Sequence, residues 1–224
     1  GTNGKTTTAH FVHHVLSQMS GPTLLIGTVG VSLGDTHVSS ARTSLEAPVL
    51  HRVLAWALER GAKNVVMEVS SHALSLHRVA GMKFDVCAFL NLQRDHLDFH
   101  KTMESYFEAK ASLFDGCLSK RAVICVDDEW GEQLAQMVRI PTVTVSTNSE
   151  ADWHVISHSL NQVDAGTDVT IREGKTNVRL HCPLPGMINV QNELTALAIL
   201  VSLGFETARV CEELARTPGV PGRM

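Results

Sequence analysis

No stretch of this chain is apolar for long enough to cross a bilayer. The longest, LTALAILVSLG, falls well short of the roughly 20 residues a spanning helix needs and reads as a buried helix. An excess of positive charge is lacking too. Lys+Arg number 19 against 23 Asp+Glu, a formal net charge of −4, which gives no reason to expect a nucleic-acid partner. Cys87, Cys117, Cys125, Cys182 and Cys211 are scattered, odd in number and without CxxC spacing. That argues against a disulfide frame or zinc ribbon and for reduced thiols in a cytoplasm. Neither an internal repeat nor a low-complexity linker divides the chain. What remains is a globular composition, 44% hydrophobic and 19% charged, in 224 residues. Such a length can bury one large core.

Short apolar runs bounded by turn residues predict strands at 23–30, 63–70, 84–91, 121–126 and 141–147. Helical stretches alternate with them: 7–19, 47–60, 102–114 and 129–138. Strands hydrophobic on both faces, interleaved with helices, imply a mostly parallel sheet flanked by helices. From Asp152 to His181 the pattern changes to polar/apolar alternation with turns at 164–166 and 173–174. This predicts a small antiparallel β appendage. Two helices, 190–203 and 206–215, close the chain. The expected class is α/β, and ligands in such sheets bind where strands end and loops begin.

The chain opens on GTNGKTTT, whose Gly4-Lys5-Thr6 has the form of the last three positions of a P-loop. Glycines let backbone N–H groups close around phosphate oxygens, Lys5 would meet the β/γ-phosphates and the Thr6 hydroxyl would ligate Mg²⁺. The following helix would aim its N-terminal dipole at the same anion. The strand that should deliver the chain into this loop, and the first glycine of the motif, are not in the sequence, so a piece of something longer is expected. Glu68 ends an apolar run, which suits either Mg²⁺ or water positioning or a helix cap. His96, between Asp95 and Asp98 beyond a strand, suits a metal ligand, a general base or an ordinary surface histidine. Lys110, on a helix with Tyr106, Phe107, Leu113 and Phe114, reads as a solvated surface charge. The His10/His13/His14 cluster lacks the glutamate of HExxH and reads as a solvated face.

Taken in order, GTNGKTTT, EVSSHAL, NLQRDHLDFH, TMESYFEAKASLF, GMINVQN and GVPGRM resemble the central domain of the Mur ligase family, most closely its MurE type. The resemblance runs nearly end to end. It implies that residues 1–224 are the ATP-binding middle domain of a three-domain enzyme. The missing domains would be an N-terminal UDP-sugar domain and a C-terminal Rossmann-like one. By this similarity Gly1, Thr2, Asn3, Gly4, Lys5, Thr6 and Thr7 form the ATP phosphate loop, and Asn189 and Asn192 lie near the adenine. Thr6, Glu68 and His96 match magnesium ligands. Lys110 matches a lysine carried as a carbamate, which turns a cation into a carboxylate ligand. Lys5, Lys110 and His96 thus become the expected catalytic residues. Thr43, Ser44, Ser70 and Arg78 match residues that hold the UDP-MurNAc-dipeptide.

The implied reaction is ATP-dependent amide-bond formation through an acyl phosphate. It adds meso-diaminopimelate or L-lysine to UDP-MurNAc-L-Ala-D-Glu in peptidoglycan synthesis. The alternatives are another Mur-like ligase, of the folylpolyglutamate synthase or cyanophycin synthetase type, and a nucleotide-binding module without catalysis. Three departures from the family pattern bear on the sugar-peptide contacts. A TTPDA motif appears as Thr43-Ser44-Leu45-Glu46-Ala47, with proline at Pro48; Leu76 stands at a usual glutamine; Lys101 replaces a glycine after DHLDFH.

Overall fold

The computed structural model describes residues 1–40 and 43–219, so Ala41 and Arg42 of the ARTSL loop, and Val220 onward in GVPGRM, lie outside the described residues. Helix α1 (Lys5–Met19) leads into β1 (Thr23–Gly27), the hairpin β2 (Gly30–Leu33) and β3 (Thr36–Val38), then α2 (Ala47–Glu59) and β4 (Asn64–Met67). A short helix α3 (Ser71–Ser75) precedes β5 (Cys87–Phe89). After it come α4 (Leu97–His100), α5 (Met103–Ala111), β6 (Ala122–Cys125), α6 (Glu129–Met137) and β7 (Thr142–Ser146). The meander β8 (Trp153–Leu160), β9 (Thr167–Glu173) and β10 (Thr176–Cys182) is followed by α7 (Met187–Ser202) and α8 (Thr207–Leu214).

The α/β alternation is as expected, but the strands form two sheets. One has the order β3-β2-β1-β4, with β4 parallel to β1; the other runs β10-β9-β8-β7-β6-β5. In the second, β5 through β8 are parallel, and β8 joins β7 through Val145↔Trp153. The antiparallel strands β8–β10 therefore extend the same sheet rather than hang from it, with a bulge between Val155 and Ser157.

β4 also differs from expectation. Its sequence suits burial on both faces, yet Val65 is 45% exposed, while β1 and β6 are buried throughout. The reason is its second edge, which meets no strand among the described residues. It faces the equally unpaired edge of β5 across a cavity of about 460 Å³, lined by Val65, Val66, Val86, Ala88 and, from α1, Ala9 and Val12.

Two apolar clusters hold the fold. In one, Phe11 and Val15 of α1 pack with Leu194 and Leu197 of α7 and with Val169, Ile171 and Leu180 of the meander. In the other, Leu24 and Ile26 pack with Leu50, Phe89, Tyr106 and Ile124. Three histidines of α1 that were expected to be solvated are half-buried. His10 Nδ1 lies 2.8 Å from the Thr6 carbonyl and His13 Nε2 3.1 Å from that of Thr23, while the Nε2 of His14 is buried. No helix among the described residues is long and apolar enough to cross a membrane.

One core position is out of character. Glu193 on α7 is fully buried and neither carboxylate oxygen has a hydrogen-bond partner. Burial pushes its pKa up from 4.5 to about 8, with the Cys182 thiol acting in the opposite direction. The folded state holds the proton that the unfolded chain releases above about 4.5. This contribution is therefore fully present below that pH and is lost as pH rises through 8. Glu193→Gln should widen its stability advantage over the parent by roughly 1.4 kcal/mol per pH unit between those limits. Thermal unfolding of both proteins across pH 5 to 8.5 measures it; a constant difference would show that Glu193 is already ionised in the fold.

Candidate functional site

Gly1–Thr7, the residues expected to form a phosphate loop, lie where β5 ends and α1 begins. Gly4 caps α1 with φ +84°, and a Cβ there would stand 2.2 Å from Asn192 Oδ1. Only glycine satisfies both conditions. The loop is stitched to the segment after β5. Thr2 N–H donates to the Asn91 carbonyl at 3.0 Å, Asn3 N–H to Asn91 Oδ1 at 2.9 Å, and Asn3 Nδ2 to Gln93 Oε1 at 2.8 Å. Lys5 folds back across its own loop, donating to the carbonyls of Gly1 at 2.9 Å and Thr2 at 2.8 Å. Backbone N–H groups at a helix N-terminus, with an ammonium beside them, form an anion receptor.

On one side of the loop stands Glu68, 4% exposed at the end of β4. Thr6 Oγ1 donates to its Oε2 at 3.0 Å, Thr28 N–H to its Oε1 at 2.8 Å, and Thr28 Oγ1 to its Oε2 at 3.2 Å. Gly27 makes room for this carboxylate, since a Cβ there would lie 2.2 Å from Oε1. The role as a cap for α3 goes instead to Ser70, whose hydroxyl accepts from Ala73 N–H. A hydroxyl and a carboxylate side by side at a phosphate loop fit Mg²⁺, which takes one or two carboxylates along with substrate phosphates. Thr43 and Ser44 are brought to the same place. Thr43 Oγ1 accepts from Thr28 at 3.0 Å, and Ser44 Oγ donates to the Glu68 carbonyl at 3.0 Å while accepting from Ser70 N–H. Arg78 reaches the Ser44 carbonyl at 3.3 Å and pairs with Glu46 at 2.9 Å.

On the other side stands Lys110, and the expectation of a solvated charge fails here. It is 6% exposed, donates to the Gly1 carbonyl at 3.2 Å, and lies 4.5 Å above the Tyr106 ring centroid. Burial, and then the nearby charge of Lys5, lower its pKa from 10.5 to about 7. His96 adopts φ +53° at the start of α4, with its Nε2 3.5 Å from Asp95 and its ring edge-on to His72 and Tyr106. His100 is buried, with Nε2 2.9 Å from Ser71 Oγ. Thus Thr6 and Glu68 form one group, and Lys110, Tyr106 and His96 another, with the loop between them.

Asn192 sits behind the loop, its Oδ1 buried without a partner, and Asn189 lies one turn earlier in α7, donating to the Pro185 carbonyl. Helix α7 begins at Met187, three residues before the expected start, which brings Asn189 into its first turn. Asn91 and Asp127 escaped the sequence reading. Asp127 accepts from Ser146, from Thr147 twice and from Gln191, tying β6, β7 and α7 together. Burial alone would raise its pKa, but these donors outweigh it and hold the carboxyl below its usual range. Asn91 had a readable signal, a polar residue directly after a buried strand; Asp127 is indistinguishable in sequence from its neighbour Asp128.

The family model described as the Mur ligase middle domain matches residues 1–200. A curated UDP-N-acetylmuramoyl-L-alanyl-D-glutamate–2,6-diaminopimelate ligase of Streptomyces coelicolor is 41% identical over 226 residues, covering all of this chain and 44% of its own length. One from Corynebacterium glutamicum is 39% identical with the same coverage. A solved structure of a ligase of that name superposes with a TM-score of 0.90 at 30% identity, covering the whole chain and 46% of its own. The chain therefore spans less than half the length of the curated relatives it matches.

At Gly4 a positive φ coincides with a close approach of Asn192. Gly4→Ala would place a methyl group against Asn192 in a backbone conformation alanine avoids. ATP affinity of the full-length enzyme is expected to fall at least about tenfold, a free-energy loss near 1.4 kcal/mol. Isothermal titration calorimetry reads it, and unchanged affinity would remove this loop from the nucleotide site.

Proposed function

The chain belongs to the Mur ligase family as its middle domain, and on that premise we propose that it is the ATP-handling centre of a MurE-type ligase. The full enzyme would join an amino acid to UDP-MurNAc-L-Ala-D-Glu. 2,6-Diaminopimelate is the incoming residue named for the relatives. The observation that carries this reading is the pairing of Thr6 with Glu68 on one side of the loop and the burial of Lys110 against Gly1 on the other. Domains before and after this one would hold the uridine end and the incoming amine. The facing free edges of β4 and β5, both parallel to their neighbours, suit one further strand entering the loop.

In the proposed reaction the γ-phosphoryl of ATP passes to the D-glutamate carboxylate, forming an acyl phosphate. The amine then attacks its carbonyl carbon and inorganic phosphate leaves. The loop N–H groups and Lys5 hold the phosphates in line and offset the charge that develops. Thr6 and Glu68 would hold one Mg²⁺, and His96 with carbamylated Lys110 a second, the ions supplying charge neutralisation when bound. Lys110 suits that modification, because carbon dioxide adds only to a neutral amine and burial keeps the amine near neutrality. Thr43, Ser44, Ser70 and Arg78 line the side away from Lys110. Ser44 supplies the same donors and acceptors as the threonine it replaces, and they are engaged with Glu68 and Ser70.

In the full-length enzyme, Lys110→Ala should lower phosphate release in the presence of all three substrates by about 10²–10³-fold, the scale of losing one electrostatic stabiliser. The fold should hold, since alanine suits a helix. Excess acetate or formate should restore part of the rate by supplying a carboxylate. Wild-type turnover in the variant would sink the ligation reading.

A further inference from the structure

Tyr106 is the only tyrosine in the chain, and at 1% exposure it is among the most completely buried large side chains. It belongs to the second apolar cluster, yet it also meets polar groups of the site. Its hydroxyl lies 3.3 Å from Thr2 Oγ1 in the phosphate loop. Lys110 Nζ sits over one part of the ring, His100 stacks on it at 4.8 Å with 25° between planes, and His96 meets it edge-on at 6.0 Å. The spacing from 106 to 110 is one helical turn, so α5 itself brings the ring beneath the lysine. A residue needed only to fill the core would be served by phenylalanine; here the ring's face and hydroxyl both have partners that belong to the site.

We propose that Tyr106 is the positioning residue that ties Lys110 to the phosphate loop, its ring seating the lysine nitrogen and its hydroxyl meeting Thr2. This rests on the reading of loop and lysine as one ligation site. Lys110 hangs on a flexible four-carbon stem, and its hydrogen-bond acceptor among the described residues is the Gly1 carbonyl. One such contact leaves the nitrogen free to swing about it. The aromatic face closes off one side of the nitrogen and so limits that swing, holding it beside the loop before any ligand arrives. Because Thr2 also accepts from Gln93 N–H and pairs with Asn91 through its backbone, a shift of the loop around a phosphate is transmitted through one hydroxyl to the ring and to the lysine resting on it.

The test uses the full-length enzyme with Tyr106→Leu, Tyr106→Phe, Thr2→Val, the Thr2→Val/Tyr106→Phe pair, and Lys110→Ala as reference. Tyr106→Leu should lower kcat about 100-fold, the cost of misplacing a reacting group by an ångström, with the KM for the dipeptide sugar unchanged. Tyr106→Phe, which keeps the ring, should recover most of that loss. The double variant should be no slower than Thr2→Val alone, since both changes break the same contact. A second readout is ¹³C NMR after equilibration with ¹³C-bicarbonate. The carbamate resonance that Lys110→Ala abolishes should weaken in Tyr106→Leu and persist in Tyr106→Phe. Wild-type kcat in Tyr106→Leu, or independent multiplication of the Thr2 and Tyr106 effects, overturns the proposal. If Tyr106→Leu does not fold, the Thr2/Tyr106 cycle decides alone. Full activity in Lys110→Ala would instead defeat the underlying functional reading, whatever Tyr106 does.

Discussion

A backbone turn with φ +84° at Gly4, pressed against Asn192, lets the chain enter α1 within one residue of a loop whose carbonyls are spoken for by Lys5. Asn192 of α7 closes off the space behind the loop, while Asn91 and Gln93 hold it from the side of β5. With both anchors in place the first-turn N–H groups of α1 point outward from the sheet end. The position of Thr6, and through it the hydroxyl offered to Glu68, follows from the same turn. Burial of Phe11 and Val15 against α7 then fixes the helix behind the loop, so packing and site geometry are consequences of one crossing.

Charge explains why this arrangement should receive an anion. Lys5 and Lys110 both donate to the Gly1 carbonyl, at 2.9 and 3.2 Å. Two ammonium groups on one acceptor repel, and the proximity of Lys5 is one of the reasons that Lys110 gives up its proton more easily. A phosphate entering between them would relieve that repulsion and satisfy the loop N–H groups together. Lys5 also donates to the Thr2 carbonyl. Gly4 and Gly27 add a steric condition, since their missing side chains make room for Asn192 and Glu68.

Much of this was legible in the chain. The glycine-rich opening loop and the carboxylate ending an apolar run at Glu68 stand out in the sequence, and the structure brings Thr6 and Glu68 together. The βα alternation was visible because parallel strands buried on both faces carry no polar phase. Lys110 shows where composition misleads. A lone helical lysine is usually solvated, yet helix arithmetic puts it one turn from Tyr106, on the apolar face already identified. The position within the turn held the information that the residue type obscured. The division into two sheets was not legible, because it depends on which edges of β4 and β5 find partners, and strand pairing across a gap leaves no mark in local periodicity. Nor could alternation distinguish a separate appendage from strands that continue a sheet; only the β7–β8 pairing decides that.

The separation of Glu68 from Lys110 is as consequential as any contact. An acid and a base flanking the same loop would ordinarily find each other, and their direct pairing would cancel the charges that make the site useful. Here each is detained. Glu68 accepts from Thr6 and Thr28, which hold both oxygens on the β1 side. Lys110 rests on Tyr106 and Gly1 on the β5 side, and among the described residues it makes no ion pair with a carboxylate. Neutral donors and an aromatic face satisfy the two groups well enough to bury them. A buried ion pair would be far harder to open, since separating it leaves two uncompensated charges. Keeping the two apart, with the loop as the divider, leaves the space between them available to a polyanion and its counter-ions.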